Sequence, residues 1–194
     1  MRDWYPAAGE EELERIGALV AAYRGSALAA RAAGARAEVP FAFEHDGVLL
    51  HGRFDLYRRD GRRALVVDYK TNPLGGREPA ELVEAAYGLQ RLVYALACFR
   101  AGADEVEVVY AFLERADAPV TTVYAGADAR ALEAELSAAI ARIDAGAFVP
   151  TPSELACADC PARDVVCAGP RLRRAEAPPE AGAAAPAAAA PARG

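Results

Sequence analysis

The apolar run Ala64-Leu65-Val66-Val67 that ends in Asp68-Tyr69-Lys70 constrains this chain more than any other feature. Its length and its β-branched residues suit a buried strand. Strand side chains alternate between faces, so Asp68 and Lys70 project to one side and Tyr69 to the other. A carboxylate and an ammonium two residues apart at the rim of a buried strand suit metal-assisted chemistry on a phosphate. Upstream, Asp55 belongs to a second strand-like run.

The segment between them, Tyr57-Arg58-Arg59-Asp60-Gly61-Arg62-Arg63, sets the expected pairing. Asp-Gly between two strands is a hairpin signal, because a type I′ turn needs positive φ at both central positions. With Asp60 and Gly61 central, Arg59 faces Arg62 and the count places Asp55 opposite Val66, Arg53 opposite Asp68, and His51 opposite Lys70. Asp55, Asp68 and Lys70 then share one side. The two carboxylates are diagonal neighbours, with backbones roughly 7–8 Å apart, able to lean on one divalent ion. Leu50, Phe54, Leu56, Leu65, Val67 and Tyr69 form the opposite, core face.

The chain has 194 residues, enough for one domain with a sizeable core, and a net charge of −6. That charge argues against gripping nucleic acid by bulk electrostatics, though bound metal ions supply positive charge locally. No apolar run approaches a membrane span and the charged N-terminus is not a signal peptide, so the expected location is cytoplasmic, with no membrane partner. No Gly-x-x-x-x-Gly-Lys-Ser/Thr is present, so the chain is not itself a nucleotide-driven motor.

Hydrophobic periodicity predicts a helix over 10–33 with Leu13, Ile16, Leu19, Val20 and Tyr23 on one stripe. A strand follows over 36–44, then the hairpin, then a Pro-Gly loop at 72–76. A long helix is predicted over 79–100 with Leu82, Leu89, Val93 and Leu96 as its core stripe. Strands over 105–114 and 120–124 and an amphipathic helix over 128–145 complete the pattern. The fold class is α/β, a mixed central sheet flanked by helices. The expected organisation is a core over 1–150, a cysteine-containing segment over 151–170, and an Ala/Pro-rich disordered tail over 171–194.

The order of a strand with Glu38, Gly52-x-x-Asp55, Val67-Asp68-Tyr69-Lys70-Thr71 and Gln90-x-x-x-Tyr94 resembles the PD-(D/E)XK nuclease superfamily. In particular it resembles the RecB/AddA-type exonuclease domain at the C-terminus of UvrD-like DNA helicases. The resemblance implies a restriction-endonuclease-like core that hydrolyses DNA in double-strand break repair, with DNA and a helicase segment as partners. It implies Asp55, Asp68 and the Tyr69 carbonyl as ligands of Mg²⁺ or Mn²⁺, and Lys70 as the group that orients the attacking water and offsets phosphate charge. Gln90 and Tyr94 would lie beside the site near the DNA strand, and Glu38 is a further candidate for contact with the metal site.

The family usually carries a metal-binding histidine upstream of its first strand. The stretch Met1-Arg2-Asp3-Trp4-Tyr5 has none, so the expected reading is a fragment of a longer helicase–nuclease. The rival class is an inactivated nuclease fold that binds DNA or a helicase partner. His45, beside Asp46-Gly47, reads as a turn residue, and His51 as an ordinary strand histidine. The arginines at 58, 59, 62 and 63 read as a solvated hairpin tip, with contact to DNA phosphates as the other reading. Cys157-x-x-Cys160-x6-Cys167 resembles the C-terminal part of an iron–sulfur staple found in some of these nucleases, with spacing suited to a 4Fe–4S cluster or zinc. Cys98, at helical spacing from Tyr94, reads as a buried helical thiol.

Overall fold

A three-stranded antiparallel meander and a hairpin, joined through a helical crossover, build the sheet. Its strands are β1 (Arg36–His45), β2 (Val48–Asp60), β3 (Arg63–Lys70), β4 (Glu105–Phe112) and β5 (Val120–Ala125). They lie in that order, antiparallel except for β3 and β4, which run parallel. The computed structural model describes residues 7–147 together with 157, 160–162 and 167. The chain divides into two units, one up to Gly146 and one from Ala147. The Ala/Pro-rich stretch 171–194 and most of 151–170 lie outside the described residues.

Helices cover both faces, which is why β3 and β4 read as nearly unbroken apolar runs. On one face α1 (Glu10–Arg24) and α2 (Ala27–Arg31) are placed so that Leu28 and Ala32 meet Leu65, Val67, Val109 and Ala111, with Tyr23, Leu56 and Tyr69 around them. Among the described residues no single helix is long and apolar enough to cross a membrane. The other face carries Val66 and Asp68 beside Val108 and Tyr110. It lies under α4 (Gly88–Arg100), which follows α3 (Pro79–Ala86) and packs on α5 (Ala129–Asp144).

Several sequence expectations need correction. The helix expected over 10–33 stops at Gly25, and Ser26 caps a separate short helix by accepting a hydrogen bond from Ala29 N–H at 3.2 Å. The helix expected over 79–100 bends by 78° between α3 and α4. Its pivot, Tyr87, leaves helical geometry (φ −121°, ψ 9°). The bend changes the phase of the apolar stripe, so Leu92 is buried while Leu89 is 49% exposed.

The hairpin register also shifts. Asp60 pairs with Arg63, so the turn centres on Gly61-Arg62, and Tyr57 rather than Asp55 faces Val66. Only Gly61 takes positive φ (59°), the pattern of a type II′ turn, which leaves Asp60 extended and ion-paired to Arg58 at 3.1 Å. The type I′ geometry is found instead at Asp46-Gly47, with φ of 49° and 76°, between β1 and β2. His45, at the end of β1, is buried rather than a bare turn residue. Its Nε2 lies 3.1 Å from the Glu133 carbonyl and 2.9 Å from Ser137 Oγ of α5.

The hairpin arginines fasten the tip to neighbouring backbone and acids. Arg58 donates to the carbonyls of Arg31, the last residue of α2, and of Ala33 just beyond it. Arg59 donates to the Ala101 and Gly102 carbonyls at the C-terminus of α4, where a cation also meets the helix dipole. Arg62 pairs with Asp104, and Arg63 with Glu105.

Candidate active site

The new register alters how the acids meet. Hydrogen-bonded pairing of β2 with β3 ends at Leu56–Val67. One step further would set Asp55 directly opposite Asp68, rather than diagonal to it, and His51 away from Lys70. There the Asp55 side chain takes over from the ladder, and its Oδ2 accepts the Tyr69 backbone N–H at 2.7 Å. The β1 register, Ala37 with Leu56 and Val39 with Phe54, places Glu38 opposite Asp55. Continued by that count, Glu38, Asp55 and Asp68 would fall in one row with Tyr110, which pairs with Asp68.

The side-chain alternation of β2 also slips at Asp55. Phe54 and Tyr57 stack on each other, and Phe54 packs edge-on to Tyr94 of α4, whereas Leu56 belongs to the opposite core. Phe54 was expected to share a face with Leu56; the structure places it instead with Tyr57 and Tyr94. Gly52 has a steric role in this arrangement. A Cβ there would lie 2.6 Å from the tip of the Phe41 ring, which is held against Phe54 and Tyr94.

Asp68 is 3% exposed and is the hub of a closed polar ring. Its Oδ2 accepts from the Tyr94 hydroxyl at 2.7 Å. Tyr94 in turn accepts from Gln90 Nε2 at 3.0 Å, and Gln90 Oε1 accepts from Lys70 Nζ at 3.1 Å. Lys70 Nζ closes the ring 2.5 Å from Asp68 Oδ1. Helical spacing puts Gln90 and Tyr94 one turn apart on α4, so one face of the helix reaches both ends of the Asp68–Lys70 pair. Burial first, then the Asp68 charge, pushes the Tyr94 phenol well above its ordinary range, so it stays a protonated donor. Tyr94 thus lies beside the site, its hydroxyl turned to Asp68, and it also lines an open groove with Gln90.

Lys70 has further neighbours. Its ammonium lies 4.1 Å from the centre of the Tyr87 ring and 5.3 Å from that of Tyr110. Neither tyrosine was singled out from sequence, because aromatics on apolar stretches read as core. A signal did exist: Lys70 is the chain's single lysine among its 22 lysines and arginines. Sequence reasoning also missed Glu114, which accepts the Leu74 N–H at 2.9 Å and fastens the loop after β3.

The donor set fits a hard divalent cation at Asp55 and Asp68. Asp68 Oδ1 is buried with an ion-pair partner but no aligned hydrogen-bond donor. Burial, and after it the charges of Asp68 and Glu38, raise the Asp55 pKa against the lowering effect of the Tyr69 N–H. Both carboxylates would thus gain from a cation. Glu38 falls in their row by that count but points to Arg53 at 3.6 Å and is largely exposed; its backbone holds φ 54°, a strained value for a residue with a side chain. His51 is exposed and lines an open groove of about 510 Å³ with Phe41, Arg53, Leu89 and Gln90. Among the described residues no three His, Cys, Asp or Glu side chains gather as a metal site, so Cys157, Cys160 and Cys167 are not brought to one point. The cluster expectation for them rests on spacing alone. Cys98 is buried in α4, where burial pushes its thiol up to about 12.

A family model described as the PD-(D/E)XK nuclease superfamily matches residues 3–167. Solved structures that the chain matches include SSO0001, at 19% identity and TM-score 0.42, over 69% of this chain and 59% of that one. Another is a candidate exonuclease from Eubacterium rectale, at 13% identity and TM-score 0.46, over 79% of this chain and 60% of that one. This chain thus spans about three-fifths of the length of those it matches. No curated protein matches.

Proposed function

Because the chain belongs to the PD-(D/E)XK nuclease superfamily, we propose that it hydrolyses phosphodiester bonds in DNA with the help of Mg²⁺ or Mn²⁺. The observation that carries this reading is the buried Asp68 carboxylate, tied to Lys70 and Tyr94 and close enough to Asp55, which accepts the next residue's backbone N–H, for the two charges to interact. Asp55, Asp68 and the Tyr69 carbonyl are the groups that would hold the cation. When bound, it would neutralise phosphate charge and lower the pKa of water.

The chain's own residues do the rest. Lys70 offers a charged donor to the water or to a phosphate oxygen, already oriented by Asp68 and Gln90. Gln90 and Tyr94 hold that orientation from α4. The Asp55–Tyr69 hydrogen bond fixes the β3 backbone beside the two acids. Such preorganisation limits the rearrangement needed when charge develops on the phosphate.

The finer reading is exonucleolytic digestion of DNA ends in double-strand break repair, of the RecB/AddA type, working with a UvrD-like helicase segment. It is supported by the order of the sequence motifs from Glu38 to Tyr94. Sequence preference should be slight, since hydrolysis of a backbone phosphate needs no base contact. The test is a comparison of end-labelled linear duplex with covalently closed circular DNA, each in Mn²⁺ and in EDTA. The expected result is cation-dependent loss of the linear substrate only. Equal cutting of the circle would overturn the exonuclease reading, and cutting undiminished by EDTA would overturn the role of the cation.

A further inference from the structure

We propose that Tyr87 is a positioning residue for Lys70, holding the amine in place through the face of its ring; the proposal deepens the nuclease reading and rests on it. Lys70 is a long, flexible side chain, and a catalytic donor must lose that freedom before the substrate arrives. Asp68 and Gln90 engage its ammonium through oxygens at 2.5 and 3.1 Å. The Tyr87 ring, centred 4.1 Å away, covers it with a π face, which attracts a cation without occupying an N–H donor. The amine is therefore confined while keeping donor capacity for a phosphate oxygen or water.

The scaffold around Tyr87 is built for this placement. Tyr87 is the pivot of the 78° bend, where the sequence pattern alone would continue the helix. A local preference overridden at one residue marks a position with another duty. Its hydroxyl donates to Asn72 Oδ1 at 3.3 Å, in the loop two residues after Lys70. Its carbonyl accepts from the Tyr110 hydroxyl at 3.3 Å, and the two rings stack with centres 5.4 Å apart. Tyr110 itself is fully buried and lies opposite Asp68 on β4. The stacked pair thus carries the position of the sheet to the amine.

Lys70 being the only lysine makes the test unusually clean. In the full chain grown with ¹³C,¹⁵N-lysine, the side-chain Cε–Hε signal belongs to Lys70 alone. The ring face predicts an upfield ring-current shift of that signal in the unaltered protein, kept in Tyr87→Phe and reduced in Tyr87→Leu to what the more distant Tyr110 ring supplies. In Mn²⁺-dependent cleavage of linear DNA, Tyr87→Leu should lose about 10- to 100-fold in kcat with KM changed by about twofold or less, the range for misplacing a catalytic group. Tyr87→Phe should recover most of that loss. Adding Tyr87→Leu to Lys70→Ala should lower the rate no further, because the ring acts through the amine. An unshifted Lys70 signal in the unaltered protein would overturn the proposal. So would an equal kcat loss from Tyr87→Leu with and without Lys70. Absence of cleavage by the unaltered protein would count against the nuclease reading instead, and the Lys70 signal would still decide whether Tyr87 holds the amine.

Discussion

Asp55 lies half-buried with two acidic neighbours, Asp68 and Glu38, and burial ahead of both raises its pKa above the ordinary 3.8. The folded protein thus holds this proton more tightly than the unfolded chain. Stability contributed by Asp55 is therefore lost as pH rises from the unfolded value through the raised folded one, and the deficit persists at neutral pH. Asp55→Asn keeps an oxygen to accept the Tyr69 N–H but removes the charge. In EDTA at pH 7.5 it should melt above the unaltered protein. Mn²⁺ should raise the melting temperature of the unaltered protein, by up to about 2.7 kcal/mol of stability at 100-fold its Kd, and leave Asp55→Asn nearly unmoved. A lower melt for Asp55→Asn in EDTA would contradict this. At this scale the candidate acids, Lys70, Gln90 and Tyr94 were legible because polar groups stand out in an apolar frame. Tyr87 and Tyr110 were not, since an aromatic in an apolar stretch gives no hint of what its face covers.

At the scale of elements, the strands and their alternation with helices were readable from periodicity, and the parallel β3–β4 pair follows from the helical crossover between them. Breaks and registers were harder. Asp60-Gly61 and Asp46-Gly47 are the same dipeptide, yet only the second forms a type I′ turn; in the first, Asp60 stays in the strand, paired with Arg63 and ion-paired to Arg58. The joint between α1 and α2 was missed because apolar periodicity runs on past Gly25-Ser26. Ser26 secures that joint twice, accepting from Ala29 N–H and donating to the Tyr23 carbonyl at 2.7 Å. Ser26→Ala should cost about 1 kcal/mol in urea unfolding and leave the rate of DNA cleavage within error. An unchanged unfolding midpoint would contradict that role.

Across the whole molecule, the acidic net charge coexists with arginines tied into local pairs and helix ends, so the proposed nuclease would draw its DNA affinity from the site and its cation rather than from a basic surface. The buried acids of the core also set a pH limit. Burial pushes Cys98 from 9.0 up to about 12, and raises Tyr69 and Tyr110 above 10.0. Above pH 9 the unfolded chain therefore releases protons that the folded one retains, and stability falls as pH rises. Tyrosinate absorbance should reach the amplitude of all eight tyrosines only as the helical circular dichroism disappears. Full amplitude with the dichroism intact would show those phenols to be accessible.

The most direct test is cleavage of linear duplex DNA by the Asp68→Asn variant beside the unaltered chain, both shown folded by circular dichroism. Asparagine keeps the shape and an oxygen to accept from Tyr94, whereas alanine would also leave a void; both remove the counter-charge of the Lys70 ammonium. The expected result is Mn²⁺-dependent digestion by the unaltered protein and a loss of 100-fold or more, about 2.7 kcal/mol in the barrier, in Asp68→Asn. Equal digestion by both would contradict the central claim that the Asp68 carboxylate anchors the hydrolytic site.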